Sequence, residues 1–151
     1  MADVIYQGGM YALVEGLLVD GCDLRIMLVA ENFTGESEED AVNIADFTTV
    51  DEFSGAGYIE LDCENVTMAY DSSANEYRLD FDAGEFNADG STVAPGPRDA
   101  IGILVKLRVD GTEANDIAVA FSDSGGFPLN GVNTAITFTP PTGGLLALSA
   151  A

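Results

Sequence analysis

The spacing of apolar residues changes after the first twenty positions of the chain. Between residues 9 and 21, apolar residues recur every three or four positions, which predicts one short amphipathic helix that ends at Gly21. Its apolar positions are Met10, Leu13, Val14, Leu17 and Leu18. Beyond this segment, Gly, Asn, Asp and Pro interrupt the sequence at short intervals, as they do where strands are joined by turns. The pattern predicts a mainly β chain with one N-terminal helix.

Two segments are apolar at nearly every position and therefore read as strands that are buried on both faces. They are "DLRIMLV" (23–29) and "AIGILVKLRV" (100–109). The second is the most apolar in the chain, and we expect it to be a central strand.

Two other segments alternate, as expected of strands with one buried face. In the first, Ile59, Leu61 and Cys63 are predicted to face inward, and Tyr58, Glu60 and Asp62 to face outward. The second follows the polar turn 71–76 and completes a hairpin. In that strand Tyr77, Leu79 and Phe81 are predicted to point inward, and Arg78, Asp80 and Asp82 to form the outer face.

Further strands are predicted at 117–121, 133–138 and 145–149, with a short one near Phe86. About eight strands at this spacing suggest an antiparallel β-sandwich or barrel, jelly-roll-like, with one helix. A length of 151 residues suits a single domain over 1–151, with an N-terminal arm and helix (1–20) and a β-sandwich (22–151).

The charge of the chain is strongly one-sided, with 26 Asp and Glu against 5 Lys and Arg, a net charge of −21. A field of this sign repels phosphate backbones and anionic lipids, so neither nucleic acid nor a membrane is an expected direct partner. Self-repulsion of this size is screened at 1 M salt, where the Debye length is about 3 Å. We therefore expect the melting temperature to rise between dilute buffer and molar NaCl. An unchanged melting temperature would contradict this prediction.

Residues typical of catalytic sites are scarce. The chain has no histidine, so the commonest general base and the Ser-His and Cys-His pairs are absent. Its single lysine, Lys106, lies in an apolar strand with no serine nearby in sequence. Cys22 and Cys63 lack metal-binding or redox spacing and are expected to be small buried thiols, and the sequence leaves open whether they pair. We expect no catalytic residues and no enzyme activity.

Two acidic turns offer oxygen ligands of the kind that Ca²⁺ prefers. Asp71 and Glu76 belong to the first, and Asn87 and Asp89 to the second, where "NADGS" matches part of an EF-hand loop. Asx residues also form turns without any metal, and this interpretation is favoured. No cofactor is therefore expected, with binding of Ca²⁺ or another cation as the alternative.

The order of segments resembles a family of small virion structural proteins of tailed phages and related archaeal tailed viruses. The resemblance begins with "YQGGMYALVEGLLV" running into "DLRIMLV" and continues through "SGAGY" and the D-x-x-x-x-E turn at 71–76. The segments "AIGILVKLRVDG" and "GGLLALS" complete it. These are turn glycines and core strands, so the resemblance transfers no functional residue.

The resemblance implies a capsid decoration (cement) protein that is made in the host cytoplasm and binds the outside of the virion head. The implied partners are the major capsid protein and further copies of the chain, with a trimer favoured. The expected contact residues come from both ends of the chain, although core packing would equally explain the helix: Tyr6, Met10, Leu13, Leu17, Leu145 and Leu146. The alternatives are a tail or baseplate component and a calcium-dependent, lectin-like adhesin.

Overall fold

The structure, a computed structural model, describes residues 4–88 and 90–149. It is mainly β, with three antiparallel sheets and one α-helix, which confirms the predicted class. Within these residues there are ten strands rather than about eight, because four of them are only two residues long. In chain order the strands are β1 (Val4–Ile5), β2 (Leu24–Ala30), β3 (Leu61–Asp62), β4 (Thr67–Asp71), β5 (Glu76–Asp80), β6 (Gly84–Glu85), β7 (Ala100–Leu107), β8 (Ile117–Ser122), β9 (Thr137–Phe138) and β10 (Leu146–Ser149).

The main sheet has five strands in the order β1-β8-β7-β2-β3. Strand β7 lies at its centre, as its apolar composition predicted, and it pairs with β2 along its whole length. Alternate residues of these strands enter two different cores, so the sheet is covered on both sides. Ile26 and Val105 join the core shared with the smaller sheets β10-β5-β4 and β6-β9. Met27 and Leu104 join a second core, covered by the loop 31–50.

The helix α1 (Gln7–Val14) is shorter than the apolar spacing predicted, and the prediction that it ends at Gly21 is wrong. Gly16 adopts a left-handed conformation with φ +70°, which a glycine tolerates without strain. The N–H groups of Gly16 and Leu17 then donate to the carbonyls of Leu13 and Ala12, so the helix ends at Val14, seven residues before Gly21.

The buried face of α1 also differs from the prediction. Its buried residues are Gly8, Gly9 and Ala12, whereas the large apolar residues Met10 and Val14 are exposed. The reason is that α1 packs against backbone rather than side chains. A Cβ on Gly9 would lie 2.5 Å from the carbonyl oxygen of Val119, so only a residue without a side chain allows this approach.

Strand β1, Tyr6 and the loop residues 42–44 together occupy the outer edge of β8, beside α1. The Tyr6 N–H donates to Val119, and the Ala118 N–H donates to Val42, with N···O distances of 3.1 and 2.9 Å. Beyond these bonds, β1 pairs with the end of β8. The polar backbone groups of this edge are therefore used within the chain, which removes a template for pairing with another strand.

The β4–β5 hairpin is present as predicted, but its inward face is only partly buried. Leu79 is fully buried and Phe81 nearly so, whereas the prediction is wrong for Tyr77, which is 48% exposed. Tyr77 pairs with the equally exposed Tyr70 across the hairpin, at a ring distance of 5.1 Å. The hairpin therefore extends past the core, and its exposed aromatic pair lies one position before the last cross-strand pair, Asp71–Glu76.

The first alternating segment is also buried only in part. Leu61 and Cys63 face the core as predicted, but Ile59 is 49% exposed because it precedes the short strand β3. Both cysteines are free thiols. Burial raises the pKa of Cys63 to about 12, which makes this thiol unreactive at neutral pH.

Candidate functional site

The single lysine of the chain is fully buried at one end of the main sheet. Lys106 lies near the end of β7, opposite Arg25 of β2 and Ala118 of β8. Its side chain is 0% exposed, whereas every arginine side chain in the structure is at least 23% exposed. A cation at such a position requires buried partners of opposite charge.

Three carboxylates from two separate segments surround the Lys106 ammonium. Its Nζ lies 2.5 Å from Oε1 of Glu60, which directly precedes β3. It lies 3.6 Å from Glu113, in a short 3₁₀ helix, and 3.6 Å from Oδ2 of Asp116, which directly precedes β8. The same Oδ2 is 3.4 Å from Nη2 of Arg108. We call Lys106, Glu60, Glu113, Asp116 and Arg108 the lysine cluster.

The lysine cluster is poor in hydrogen bonds despite its charge. Four of its atoms are buried without a hydrogen bond of acceptable geometry: Nζ of Lys106, Oε1 of Glu60, Nε of Arg108 and Oδ1 of Asp116. The 2.5 Å contact between Lys106 and Glu60 satisfies the distance of an ion pair but not the angles of a hydrogen bond. Buried polar groups without hydrogen bonds are uncommon, because each one costs the free energy of its lost hydration.

Glu52 adds a further carboxylate beside the lysine cluster. One oxygen each of Glu52, Glu60 and Glu113 lie within 4.8 Å of one another, a spacing that a metal ion could bridge. Burial raises the pKa of the Glu52 carboxyl, and the charge of Glu60 raises it further. The ammonium of Lys106 already supplies positive charge to two of these three carboxylates, so the group does not resemble an open metal site.

A second feature is the exposed apolar surface around α1, which we call the helix surface. Its most exposed member is Val14, at 79%. Its members are Met10, Tyr11, Val14, Leu17 and Val19. The exposed acids Glu15 and Asp20 lie within the same segment. A shallow groove of about 400 Å³, lined by Leu18, Val19, Asp20 and Met68, extends this surface toward β4.

The structure divides the six predicted contact residues. Met10 and Leu17 belong to the helix surface, and Leu13 is partly buried against the core. The expectation for Tyr6 and Leu145 needs correction, because they are 0% and 2% exposed and serve as core residues. The Tyr6 hydroxyl donates to the carbonyl of Gly35, and its ring packs on Phe47. The side chain of Leu146 lies outside the described part of the structure.

The predicted calcium ligands are occupied by contacts within the chain. Asp71 and Glu76 both pair with Arg78, at 3.1 and 2.6 Å, and Asp71 also accepts hydrogen bonds from its own turn. Asn87 is 4% exposed and joins its loop to Glu85 and Ile136. These contacts agree with the turn interpretation. Asp89 lies outside the described residues.

One residue of the predicted outer face of the hairpin, Asp82, lines a cleft. Asp80 and Asp82 are both exposed, as predicted. Asp82 accepts a hydrogen bond from Asn65 and lines an acidic cleft of about 420 Å³. The other acids of this cleft are Glu60, Asp62, Glu64 and Glu85.

Comparisons with protein-family models, with curated proteins and with solved structures found no match to this chain. The similarity to virion structural proteins therefore stays a hypothesis, and function has to be argued from the two features above. Among the described residues, no helix is long and apolar enough to cross a bilayer.

The two features differ in what they can do. The helix surface is apolar, exposed and held on a tightly packed helix, which suits binding to another protein. The lysine cluster is built around a fully buried ammonium that contacts only side chains of the same chain among the described residues, so its chemistry concerns the chain itself. Sequence reasoning missed this cluster, although a lysine inside a strand buried on both faces signals buried counter-charges. What the sequence could not show is that Glu60 lies next to a residue 46 positions away.

Proposed function

We propose that this chain is a non-catalytic structural protein that decorates the outer surface of a viral head and binds it through the helix surface. The observation that supports this proposal is the exposure of five large apolar side chains on one short segment. Scattered apolar residues are normal on protein surfaces, but a contiguous group of them is characteristic of a protein–protein contact.

The anchoring of α1 suits the helix surface to binding. Gly8 and Gly9 let the helix lie directly on the backbone of β8, so its outer residues are presented from a rigid base. A rigid surface loses little conformational entropy when a partner binds, and more of the contact energy then appears as affinity.

The charge of the chain restricts the partner. A net charge of −21 opposes close approach of an acidic surface, and the acids Glu15 and Asp20 border the apolar residues. The complementary surface is therefore an apolar depression bordered by Lys or Arg. On the proposed virion this surface belongs to the major capsid protein, and the remaining acidic surface faces solvent, where its charge keeps particles apart. We further propose that the chain binds as a homo-oligomer, with a trimer as the expected form.

The test is binding of a Val14→Asp variant to purified heads that lack the chain. A charge placed at the centre of an apolar contact is expected to weaken binding at least about tenfold, equivalent to about 1.4 kcal/mol. Val132→Asp is the matched control, because Val132 is 70% exposed and lies outside the helix surface. Co-sedimentation of both variants gives the affinities, and circular dichroism checks that they fold.

Equal binding of Val14→Asp and the unmodified chain would refute the role of the helix surface. The number of copies per virion tests the location. Hundreds of copies in purified particles would support a head protein, whereas a handful would favour the tail or baseplate alternative.

A further inference from the structure

We propose that Lys106 and Asp116 become joined by an intramolecular amide bond between Nζ and Cγ, so that the lysine cluster is the site of a self-catalysed cross-link. The inference does not depend on the proposed function. It rests on the burial, the distances and the missing hydrogen bonds of the cluster.

The buried cation of the chain is a lysine and not an arginine, which favours this reaction. All four arginines of the chain are partly exposed and paired with carboxylates, whereas the one lysine is fully buried. Arginine is the usual residue for a buried ion pair, because its planar group forms several directed hydrogen bonds and never loses its charge. Lysine differs in that burial readily converts it to a neutral, nucleophilic amine. The chain therefore has its single amine side chain beside three carboxylates that can accept a proton from it.

The burial of Nζ of Lys106 and Oδ1 of Asp116 without hydrogen bonds also favours the reaction. Nζ of Lys106 and Oδ1 of Asp116 are both buried, and neither has a hydrogen bond of acceptable geometry. Their residues are 0% exposed, and Nζ is 3.6 Å from Oδ2 of Asp116, beyond ordinary hydrogen-bond distance. As an ion pair, both groups would lose hydration without gaining good hydrogen bonds. An amide bond removes both charges and with them most of this penalty.

The reaction balances without any other reagent. An ammonium and a carboxylate give an amide and one water molecule: the Nζ–Cγ bond forms, and the bond from Cγ to Oδ1 breaks. Two protons leave Nζ, one before and one after its attack on Cγ, and both end on the departing oxygen. Holding the two groups together in a fixed orientation supplies the effective concentration that a condensation in water lacks.

Two neighbouring residues have the positions that this reaction needs. Glu60 lies 2.5 Å from Nζ and can accept the protons from the amine and return them to the leaving oxygen. Nη2 of Arg108 lies 3.4 Å from Oδ2 of Asp116, where negative charge develops when Nζ attacks Cγ. The contact with Arg108 also determines which oxygen of Asp116 leaves. Oδ2 remains as the amide oxygen, and Oδ1, which has no hydrogen-bond partner among the described residues, leaves as water.

Asp116 is a better acyl partner than the other two carboxylates. Glu113 is as close to Nζ as Asp116 is, but its side chain is 48% exposed and its charge is therefore hydrated. Glu60 is 17% exposed, and no cation other than Lys106 pairs with it among the described residues, so nothing there stabilises an oxyanion on its carboxyl group.

The decisive experiment is the intact mass of the purified, denatured chain. The proposal predicts a mass lower than that of the sequence by one water molecule. It also predicts that trypsin fails to cut after Lys106, because an acylated lysine carries no charge. Tandem mass spectrometry of the linked peptides should then place the bond between Lys106 and Asp116.

Two Glu→Gln variants, at Glu60 and Glu113, separate proton transfer by Glu60 from the effect of removing one negative charge near Lys106. Glu60→Gln keeps the shape of the side chain but cannot carry the protons, and it is expected to show the full sequence mass while remaining folded by circular dichroism. Glu113→Gln should keep the mass deficit. A full sequence mass for the unmodified chain would overturn the proposal, and so would a bond mapped to Glu60 or Glu113.

Discussion

Replacing Lys106 with methionine is expected to lower the free energy of unfolding by about 3–5 kcal/mol, the usual cost of removing one partner from a buried ion pair. The loss arises because Glu60 is left without a cation among the described residues and Asp116 keeps only Arg108, at 3.4 Å. Methionine fills a similar volume, so a cavity does not account for the effect. If the amide bond forms, the unmodified chain has no Lys106–Asp116 ion pair, and the variant then loses the cross-link in addition to leaving both carboxylates buried without the lysine.

Urea unfolding of the variant and of Arg78→Met measures this difference. Arg78 also contacts two carboxylates, at 2.6 and 3.1 Å, but its side chain is 34% exposed. Its replacement should therefore cost only about 0–1 kcal/mol. Similar losses for both variants would show that the lysine cluster is no more important than a surface ion pair.

The deficit of the Lys106→Met variant is also expected to shrink as the pH falls. Glu52, beside the cluster, has a raised pKa in the folded chain, so folding favours its protonated form. A carboxyl whose pKa is raised by folding lowers the free energy of unfolding at pH values above its unfolded pKa. This lost stability returns as the pH falls through the folded pKa toward the unfolded pKa. The charge of Lys106 lowers the pKa of Glu52, so removing the ammonium raises the pKa of Glu52 further and extends this recovery in the variant.

Replacing Gly8 with alanine is the second substitution with a large expected effect. A Cβ at this position would lie 2.2 Å from the carbonyl oxygen of Val42 and 2.5 Å from that of Ala118, and neither backbone can move without disturbing the main sheet. We expect a loss of about 2–3 kcal/mol as α1 is pushed away from β8. Intrinsic helix propensity alone would instead raise the free energy of unfolding by up to about 1 kcal/mol when alanine replaces glycine. The sign of the measured change therefore distinguishes the two effects.

Met10→Ala in the same helix is the control for this prediction. Met10 is 47% exposed on the opposite side of α1, and its truncation should change stability by no more than about 0.5 kcal/mol. If Gly8→Ala were as stable as the unmodified chain, the close contact between α1 and β8 would be refuted.

The sequence predicted the strands of this fold better than its helix. The segments 23–29 and 100–109 are apolar on both faces, and burial on both sides of the main sheet follows directly from that composition. The helix was misread because apolar spacing indicates which face is apolar, not which face is buried. In α1 the glycines mark the contact, and a close approach to backbone selects for the smallest residue, not for the most apolar one.

The residues of the candidate sites could also be predicted from the sequence only in part. Met10 and Leu17 could be proposed as contacts from their sequence position, whereas Tyr6 and Leu145 have the same apolar character but pack inside. The lysine cluster depends on three segments that only the folded sheet brings together. A charged residue within an apolar strand indicates that partners exist, but only strand order identifies them as Glu60 and Asp116.

The sealed edge of β8 bears on how many copies of the chain can be crowded together. Proteins kept at high local density with an open strand edge tend to add to one another without limit and form fibres. Here the short strand β1 and the loop residues 42–44 fill that position from within the same polypeptide. Growth by strand addition is thereby blocked on this flank, and association is directed to side-chain surfaces, which can form closed assemblies of fixed size.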